Sequence, residues 1–154
     1  MEQYQKLMIG HASLVMVVAL LAGFMLAFGL IGGIEIMPGT VVPMPYYGTV
    51  DGWVRAHTGG LVNGLLMLGL ALALPQIGLG EKMRGRVAYG IIFVGWANTI
   101  FYWFGNAAGN RALSFGDNAQ GASNLFGMVG YGIAITAAIL LLYILLTIAY
   151  KLLR

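Results

Sequence analysis

Residues 7–34 read LMIGHASLVMVVALLAGFMLAFGLIGGI, a stretch without a single Asp, Glu, Lys or Arg. Three more stretches without these charges follow, at residues 56–80, 87–110 and 118–150. Each is longer than the roughly 20 apolar residues that an α-helix needs to cross the hydrocarbon layer of a bilayer. A chain of 154 residues, 60% hydrophobic and 8% charged, could bury one such helix in a soluble core, but not four. The sequence therefore predicts an all-α, integral membrane bundle of four transmembrane helices.

We expect one domain that covers residues 1–154. The expected helices are residues 7–32, 54–80, 86–108 and 122–151. Residues 81–86 are charged and are expected to form a short turn between antiparallel helices. The connection at residues 32–52 is rich in proline and tyrosine and is unusually apolar for a loop. It is expected to form an ordered cap that lies on the bundle or in the membrane interface, with its tyrosines and Trp53 at the depth of the lipid headgroups.

The basic residues are unevenly distributed along the chain. Four spans place both termini and the middle connection on one side of the membrane. That side carries six of the eight basic residues, namely Lys6, Lys82, Arg84, Arg86, Lys151 and Arg154. The positive-inside rule therefore predicts that both termini are cytoplasmic, in a membrane of the bacterial inner type. No basic face or run accompanies the net charge of +3, so lipid is expected as a partner and nucleic acid is not.

The chain has two histidines and no cysteine, and both His11 and His57 lie within predicted spans. An ionisable side chain in hydrocarbon is costly and indicates a functional site by default, and neutral imidazole is the commonest metal ligand. His57 is expected either to make a hydrogen bond between helices or to bind a metal or haem iron. The two histidines should differ in depth by roughly 15–20 Å, so one metal is not expected to bridge them within a chain. A loop methionine such as Met37 or Met44 would be needed to close the remaining axial position of an iron on His57.

Three polar residues recur on the third predicted helix. Asn98, Tyr102 and Asn106 are spaced i, i+4 and i+8, which places them on one stripe. Such a stripe is expected to face the bundle interior or a partner chain, because exposure to lipid is unfavourable. Each residue could also have a purely structural role, since asparagine often links membrane helices by hydrogen bonds.

Asn63 follows His57 by six residues, which is about 120° round a helix at 100° per residue. The two side chains cannot share one face of a straight helix. Either Gly59 and Gly60 distort the helix, or His57 and Asn63 serve different surfaces. The second possibility is natural in an oligomer whose sites lie between chains.

Three strings together closely resemble the styrene oxide isomerase family: GGIEIMPG at residues 32–39, GWVRAHTGGLVNG at residues 52–64 and GWANTIFYWFGNAAGNRALSFG at residues 95–116. The resemblance implies a four-helix membrane enzyme that forms homotrimers with haem b between the subunits. It places His57 at the axial ligand of the haem iron, and Asn63 and Tyr102 at catalytic positions near the epoxide. Ala12, Gly60 and Trp103 depart from the family sequence, which affects the expected substrate preference more than the expected chemistry.

The reaction implied by the resemblance is the Meinwald rearrangement of a small apolar aryl epoxide such as styrene oxide. Ferric haem acts as a Lewis acid, the benzylic C–O bond opens, and a 1,2-hydride shift gives phenylacetaldehyde. A dry site would prevent water from trapping the cation as a diol. The remaining substrate pocket is expected from Trp96, Asn98, Phe101, Trp103 and Asn106.

Two other classes of function remain open from the sequence. The chain could be a non-enzymatic b-type cytochrome or haem sensor subunit, or a structural membrane subunit without a cofactor. Absence of a Soret band in the purified protein would exclude both haem-containing functions, the isomerase and the cytochrome or sensor. A six-coordinate low-spin haem would favour electron transfer over isomerisation.

Overall fold

The computed structural model describes residues 1–154 and consists of four long helices and one β-hairpin. The elements are α1 Gln3–Ile31, β1 Gly33–Met37, β2 Thr40–Pro43, α2 Val50–Ala73, α3 Glu81–Asn106 and α4 Leu125–Leu152. All four helices are long and apolar enough to span a membrane. The protein is therefore a multi-pass membrane protein, as its charge-free stretches predict.

Capping residues explain why two helices do not begin where hydropathy alone predicts. α2 begins earlier than expected because the Thr49 hydroxyl accepts a hydrogen bond from the Gly52 amide at 3.0 Å. α4 begins later than expected because Asn124 caps it through the Gly127 amide at 2.9 Å. Such side-chain oxygens satisfy amides that have no partner in the first helical turn. The boundaries thus follow hydrogen-bond chemistry that hydropathy does not report.

The second connection is shorter than the sequence predicts. Pro75 converts the end of α2 into one 3₁₀ turn at Leu74–Gln76, because proline has no amide hydrogen for the α-helical pattern. Gly78 then turns the chain with a φ of 72°, a left-handed conformation that favours glycine. The charged residues 81–86 are the first turns of α3, so the prediction that they form the turn is wrong. 

Both termini and this second connection lie together at one end of the bundle, here called the inner end. Arg84 at the start of α3 donates to the Glu2 carboxylate at 2.7 Å. A side chain at Gly78 would lie 3.8 Å from Lys151 near the end of α4. The topology therefore groups the six basic residues at the inner end, as the four-span prediction requires.

The opposite, outer end carries a β-hairpin that the all-α prediction missed. β1 pairs antiparallel with β2, with Ile34 opposite Val42. Pro38 and Gly39 form the turn, with a φ of 79° at Gly39 that favours glycine. The Glu35 carboxylate accepts a hydrogen bond from the Gly39 amide at 2.7 Å. The Pro-Gly dipeptide is the sequence signal for this turn.

The hairpin connection is anchored to the bundle by Trp53. This side chain is wholly buried, and its indole N–H donates to the Tyr47 carbonyl at 2.8 Å. The polar group of Trp53 is therefore satisfied within the protein, and its depth relative to the lipid headgroups stays a prediction. The connection is an ordered cap on the outer end.

The last connection, residues 107–124, folds around one buried amide. Asn110 is fully buried, donates to the carbonyls of Ser114 and Gly116, and accepts from the Ala112 amide. The carbonyl of Asn110 in turn accepts from the side chain of Asn118 at 3.0 Å. This polar loop closes the outer end beside the hairpin without regular secondary structure.

Candidate functional site

His57 projects from α2 onto α1. Its Nδ1 atom lies 2.9 Å from the carbonyl oxygen of Ala19. Because a carbonyl only accepts hydrogen bonds, Nδ1 must carry the hydrogen, and the lone pair of the neutral imidazole is on Nε2. Nε2 has no hydrogen-bond partner within the chain, and the side chain is half-buried. His57 therefore makes the expected hydrogen bond between helices, and its Nε2 atom has no partner, so metal binding through Nε2 stays a prediction.

His11 has the opposite arrangement in the inner half of the bundle. The Trp96 indole N–H donates to His11 Nδ1 at 3.1 Å, and the two rings meet edge to face. The lone pair of the neutral His11 ring is thus already used. His11 lies eight residues from Ala19 on α1, or roughly 12 Å along the axis. The His57 ring also lies against Gly23, twelve residues from His11, so the axial separation is roughly 12–18 Å. This range overlaps the expected range of roughly 15–20 Å, and it excludes one metal bound by both histidines of a chain.

Asn63 and Asn98 form a buried amide pair between α2 and α3. Asn98 Nδ2 donates to Asn63 Oδ1 at 3.1 Å. Asn63 is only 7% exposed, and its Nδ2 group is buried without a hydrogen-bond partner. A buried donor without a partner is costly and is rare in native structures. The pair therefore holds the Asn63 amide in place with its donor unused.

Tyr102 lies about one helical turn from this pair, on the outer side. Its ring rests on Gly59, where a Cβ atom would approach the Tyr102 hydroxyl to 2.8 Å. The hydroxyl makes no hydrogen bond within the chain, and the side chain is half-buried. Two unused donors, the Tyr102 hydroxyl and the Asn63 amide, therefore lie in adjacent layers between α2 and α3.

The helical spacing places His57 away from these donors within one chain. His57 contacts α1, whereas Gly59 and Asn63 contact α3. His57 and Gly59 are two residues apart, or about 160° round the helix. α2 remains helical through Gly59 and Gly60, so the proposed distortion does not occur. His57 and Asn63 therefore lie on different faces of α2, which is the second of the two possibilities that the sequence left open.

The polar stripe on α3 faces the interior of its own chain. Asn106, at its outer end, accepts a hydrogen bond from the Thr49 amide at 2.8 Å. It packs so tightly against Gly52 that no side chain fits at that position. Together with the Asn98 pair and the contact of Tyr102 with Gly59, this shows that the stripe lies against α2. The stripe thus contacts the interior of its own bundle, and an additional contact with a partner chain stays a prediction.

The other residues expected in the pocket lie at different levels of α3. The centroids of the Phe101 and Tyr102 rings lie 5.3 Å apart. The Arg55 guanidinium lies 5.6 Å from the centroid of the Phe101 ring. Trp103 packs edge to face on Trp53 at 5.0 Å. Trp96 lies deeper, with its polar group on His11. Phe101 and Trp103 therefore flank Tyr102, and Trp96 belongs to the inner part of the bundle.

A cavity of about 880 Å³ opens at the outer end, one turn beyond Tyr102. Trp103 and Asn106 line it on α3, and Asp51 and Arg111 contribute opposite charges. Burial raises the pKa of Tyr47, which also lines the cavity, because the phenolate would lose solvation there. The cavity combines aromatic and polar walls, as small-molecule sites commonly do.

No three histidine, aspartate or glutamate side chains meet anywhere in the chain. A metal at His57 would therefore have to bring most of its ligands with it, as a porphyrin does, or take them from another chain. Met37 and Met44, the two methionines named above as a possible further axial ligand, lie on the hairpin connection. Their exposed fractions are 60% and 40%.

Three features of the site were not recognised from the sequence. The Ala19 carbonyl, which orients His57, is a backbone group and has no residue-type signature. Gly23 provides room for His57, and Gly59 provides room for Tyr102. Both could have been found in the sequence as small residues on a neighbouring helix at the depth of the side chain that they accommodate.

Comparison with known proteins covers nearly the whole chain. The family model described as styrene oxide isomerase matches residues 4–153. A styrene-oxide isomerase from Pseudomonas fluorescens is 34% identical over 154 residues, which is 100% of this chain and 91% of the relative.

Proposed function

Because this chain belongs to the styrene oxide isomerase family, we propose that it isomerises a small aryl epoxide such as styrene oxide to phenylacetaldehyde. The observation that carries the proposal is the pair of unused donors. The Asn63 Nδ2 group and the Tyr102 hydroxyl lie in adjacent layers, and neither donates to a partner in the chain. An epoxide offers one oxygen acceptor, and that oxygen gains negative charge as its ring opens. Fixed donors at such an oxygen favour ring opening more than they favour binding.

Haem b is the cofactor that we propose, and the chemistry of His57 fits it. The imidazole donates through Nδ1 to the Ala19 carbonyl and leaves Nε2 as the ligand atom. A hydrogen bond from the second ring nitrogen to a carbonyl is the usual arrangement of a histidine bound to a metal. When bound in the ferric state, haem would supply a Lewis acid for the epoxide oxygen.

The side chains have separate roles in the proposed Meinwald rearrangement. The benzylic C–O bond breaks with its electrons on oxygen, and Tyr102 and Asn63 donate to that oxygen. A hydride then moves from the terminal carbon to the benzylic carbon while the C=O bond forms. No atom is gained or lost, and no net oxidation occurs. Asn98 is a positioning residue, because it holds the Asn63 oxygen and leaves the nitrogen for the substrate.

The surroundings of the two donors favour a short-lived cation. Phe101 and Trp103 flank Tyr102, and the π-face of an aromatic ring attracts positive charge. Water would convert the benzylic cation to a diol, so a site between transmembrane helices protects the product. The epoxide and the aldehyde are both apolar, and lipid gives them a route to the site.

We further propose that the working unit is a homotrimer with shared sites. In one chain, His57 and the two donors lie on opposite sides of α2, as described above. A ring of three copies can bring His57 of one copy to the donors of the next, and a closed ring is the simplest assembly of head-to-tail contacts. The inner end with its basic residues would face the cytoplasm of a bacterial-type cell.

Mixed oligomers test whether sites are shared. Coexpression of His57→Ala and Tyr102→Phe chains should restore activity, because some interfaces pair an intact His57 with an intact Tyr102. When the two variant chains are made in equal amounts and assemble at random into trimers, about one quarter of all sites are intact. Purification through two tags removes the homotrimers, and every mixed trimer has one intact site, so activity of about one third of the wild-type value is expected. Activity no higher than that of the two separate variants would mean that each chain builds its own site.

Isotope labelling tests the reaction itself. Purified protein should convert styrene oxide with a terminal CD₂ group to PhCHD–CDO, because one deuterium migrates to the benzylic carbon. Rapid quenching and mass spectrometry measure the retained label. Loss of one deuterium to solvent would exclude the hydride shift. Absence of turnover in haem-loaded protein would favour a non-enzymatic cytochrome or sensor, and absence of haem would remove the proposed cofactor.

A further inference from the structure

A glycine on α1 lies directly against the His57 imidazole. A Cβ atom at Gly23 would lie 2.8 Å from His57 Nδ1 and 2.9 Å from Cε1. Both distances are too short for real side-chain contacts. The ring thus occupies the space that any larger residue at position 23 would need.

Position 23 is also four residues after Ala19, whose carbonyl accepts the Nδ1 hydrogen bond. In an α-helix, the carbonyl of residue 19 points toward residue 23, whose amide is its helical donor. A carbonyl oxygen has a second lone pair, which can accept another hydrogen. With no side chain at Gly23, this lone pair is open to a group from the neighbouring helix.

The surrounding residues keep the contact close and dry. Ala19 is only 1% exposed, and a Cβ atom at Gly60 of α2 would lie 2.6 Å from the Ala19 Cβ. The two helices therefore approach through small residues at the level of His57. A hydrogen bond shielded in this way is stronger than one in contact with water.

We infer that Gly23 is a positioning residue for His57: it opens the Ala19 carbonyl to Nδ1 and so directs Nε2 to the cofactor. The inference rests on the proposed haem function. It assigns Gly23 a role in the electronics of the ligand as well as in helix packing. The Nδ1–H···O=C bond increases the basicity of Nε2, which strengthens the bond to iron and favours the ferric state.

The test is Gly23→Ala, with Gly10→Ala as the matched control. A Cβ atom at Gly10, on the same helix, meets nothing within 4 Å. Gly23→Ala should increase the rate of haem transfer to an apomyoglobin acceptor about 10–100-fold, as loss of such a partner typically does. The Fe–His stretching frequency of the ferrous protein should fall, and the midpoint potential should rise. Gly10→Ala should match the wild type in all three measurements.

A purely structural role would change stability without changing the frequency or the potential. Wild-type values for both in a folded Gly23→Ala protein would therefore overturn the inference. If Gly23→Ala does not fold, the wild type supplies the second measurement. The reference is a ferrous haem complex with an N-methylated imidazole, which has no second N–H donor. We expect the Fe–His frequency of the wild type to exceed that of the reference, and a frequency no higher than the reference overturns the inference. A wild-type protein without haem would instead overturn the proposed function, and this inference with it.

Discussion

His57→Ala is expected to lose its haem and to lose isomerase activity to the background rate. No second histidine lies near this level of the bundle, and His11 already uses its Nδ1 lone pair for Trp96. The chain also has no cluster of three histidine, aspartate or glutamate side chains that could hold the iron in place of His57. The Soret absorbance per protein, calibrated by the pyridine haemochrome, and turnover of styrene oxide measure the two losses.

His11→Ala is the matched control for this prediction. It removes the chain's other imidazole and the hydrogen bond to Trp96, so thermal stability should decrease while haem is retained. Full haem content in His57→Ala would contradict the assignment of the ligand. Haem loss in His11→Ala with an intact bundle would indicate that the two histidines are linked across subunits.

Tyr102→Phe is expected to keep its haem and to turn over about 10²–10³-fold more slowly. The change removes one hydroxyl and leaves the ring on Gly59, so the packing of α2 on α3 is preserved. A preorganised donor to a developing oxyanion is typically worth that factor in rate. Steady-state kinetics with styrene oxide should show the loss mainly in kcat, because the interaction strengthens as the epoxide opens.

Tyr89→Phe provides the comparison on the same helix. Tyr89 is 60% exposed near the inner end of α3, so loss of its hydroxyl should leave kcat unchanged. Asn63→Ala should also slow turnover with haem retained, through loss of the second donor. Wild-type rates in both Tyr102→Phe and Asn63→Ala would exclude this pocket, even with haem on His57.

The membrane spans could be predicted from the sequence because they depend on the whole length of each apolar stretch. The hairpin could not, since it depends on one dipeptide, Pro38-Gly39, within a segment that hydropathy describes only as apolar. Helix boundaries likewise depend on single capping side chains such as Thr49 and Asn124. The membrane-spanning helices can thus be predicted from composition, whereas the turns and helix ends depend on single hydrogen bonds that only the structure reveals.

The same distinction applies to the site. The sequence indicated His57, Asn63 and Tyr102 as candidate residues, and the helical period separated His57 from Asn63. It could not reveal that the partner of His57 is a backbone carbonyl, because every residue has one. It also could not show which atom of Asn63 is free, since that depends on the contact with Asn98.

The buried amide pair between α2 and α3 has a consequence for biogenesis. These helices are consecutive spans joined by a tight connection, and we expect them to enter the bilayer as a helical hairpin. Pairing Asn63 with Asn98 removes two polar groups from hydrocarbon before α4 has left the ribosome. A shift of one helix past the other by one residue would separate the amides and return both to lipid. The contact that we propose to position a donor for the substrate would thus also select the register in which the nascent protein assembles.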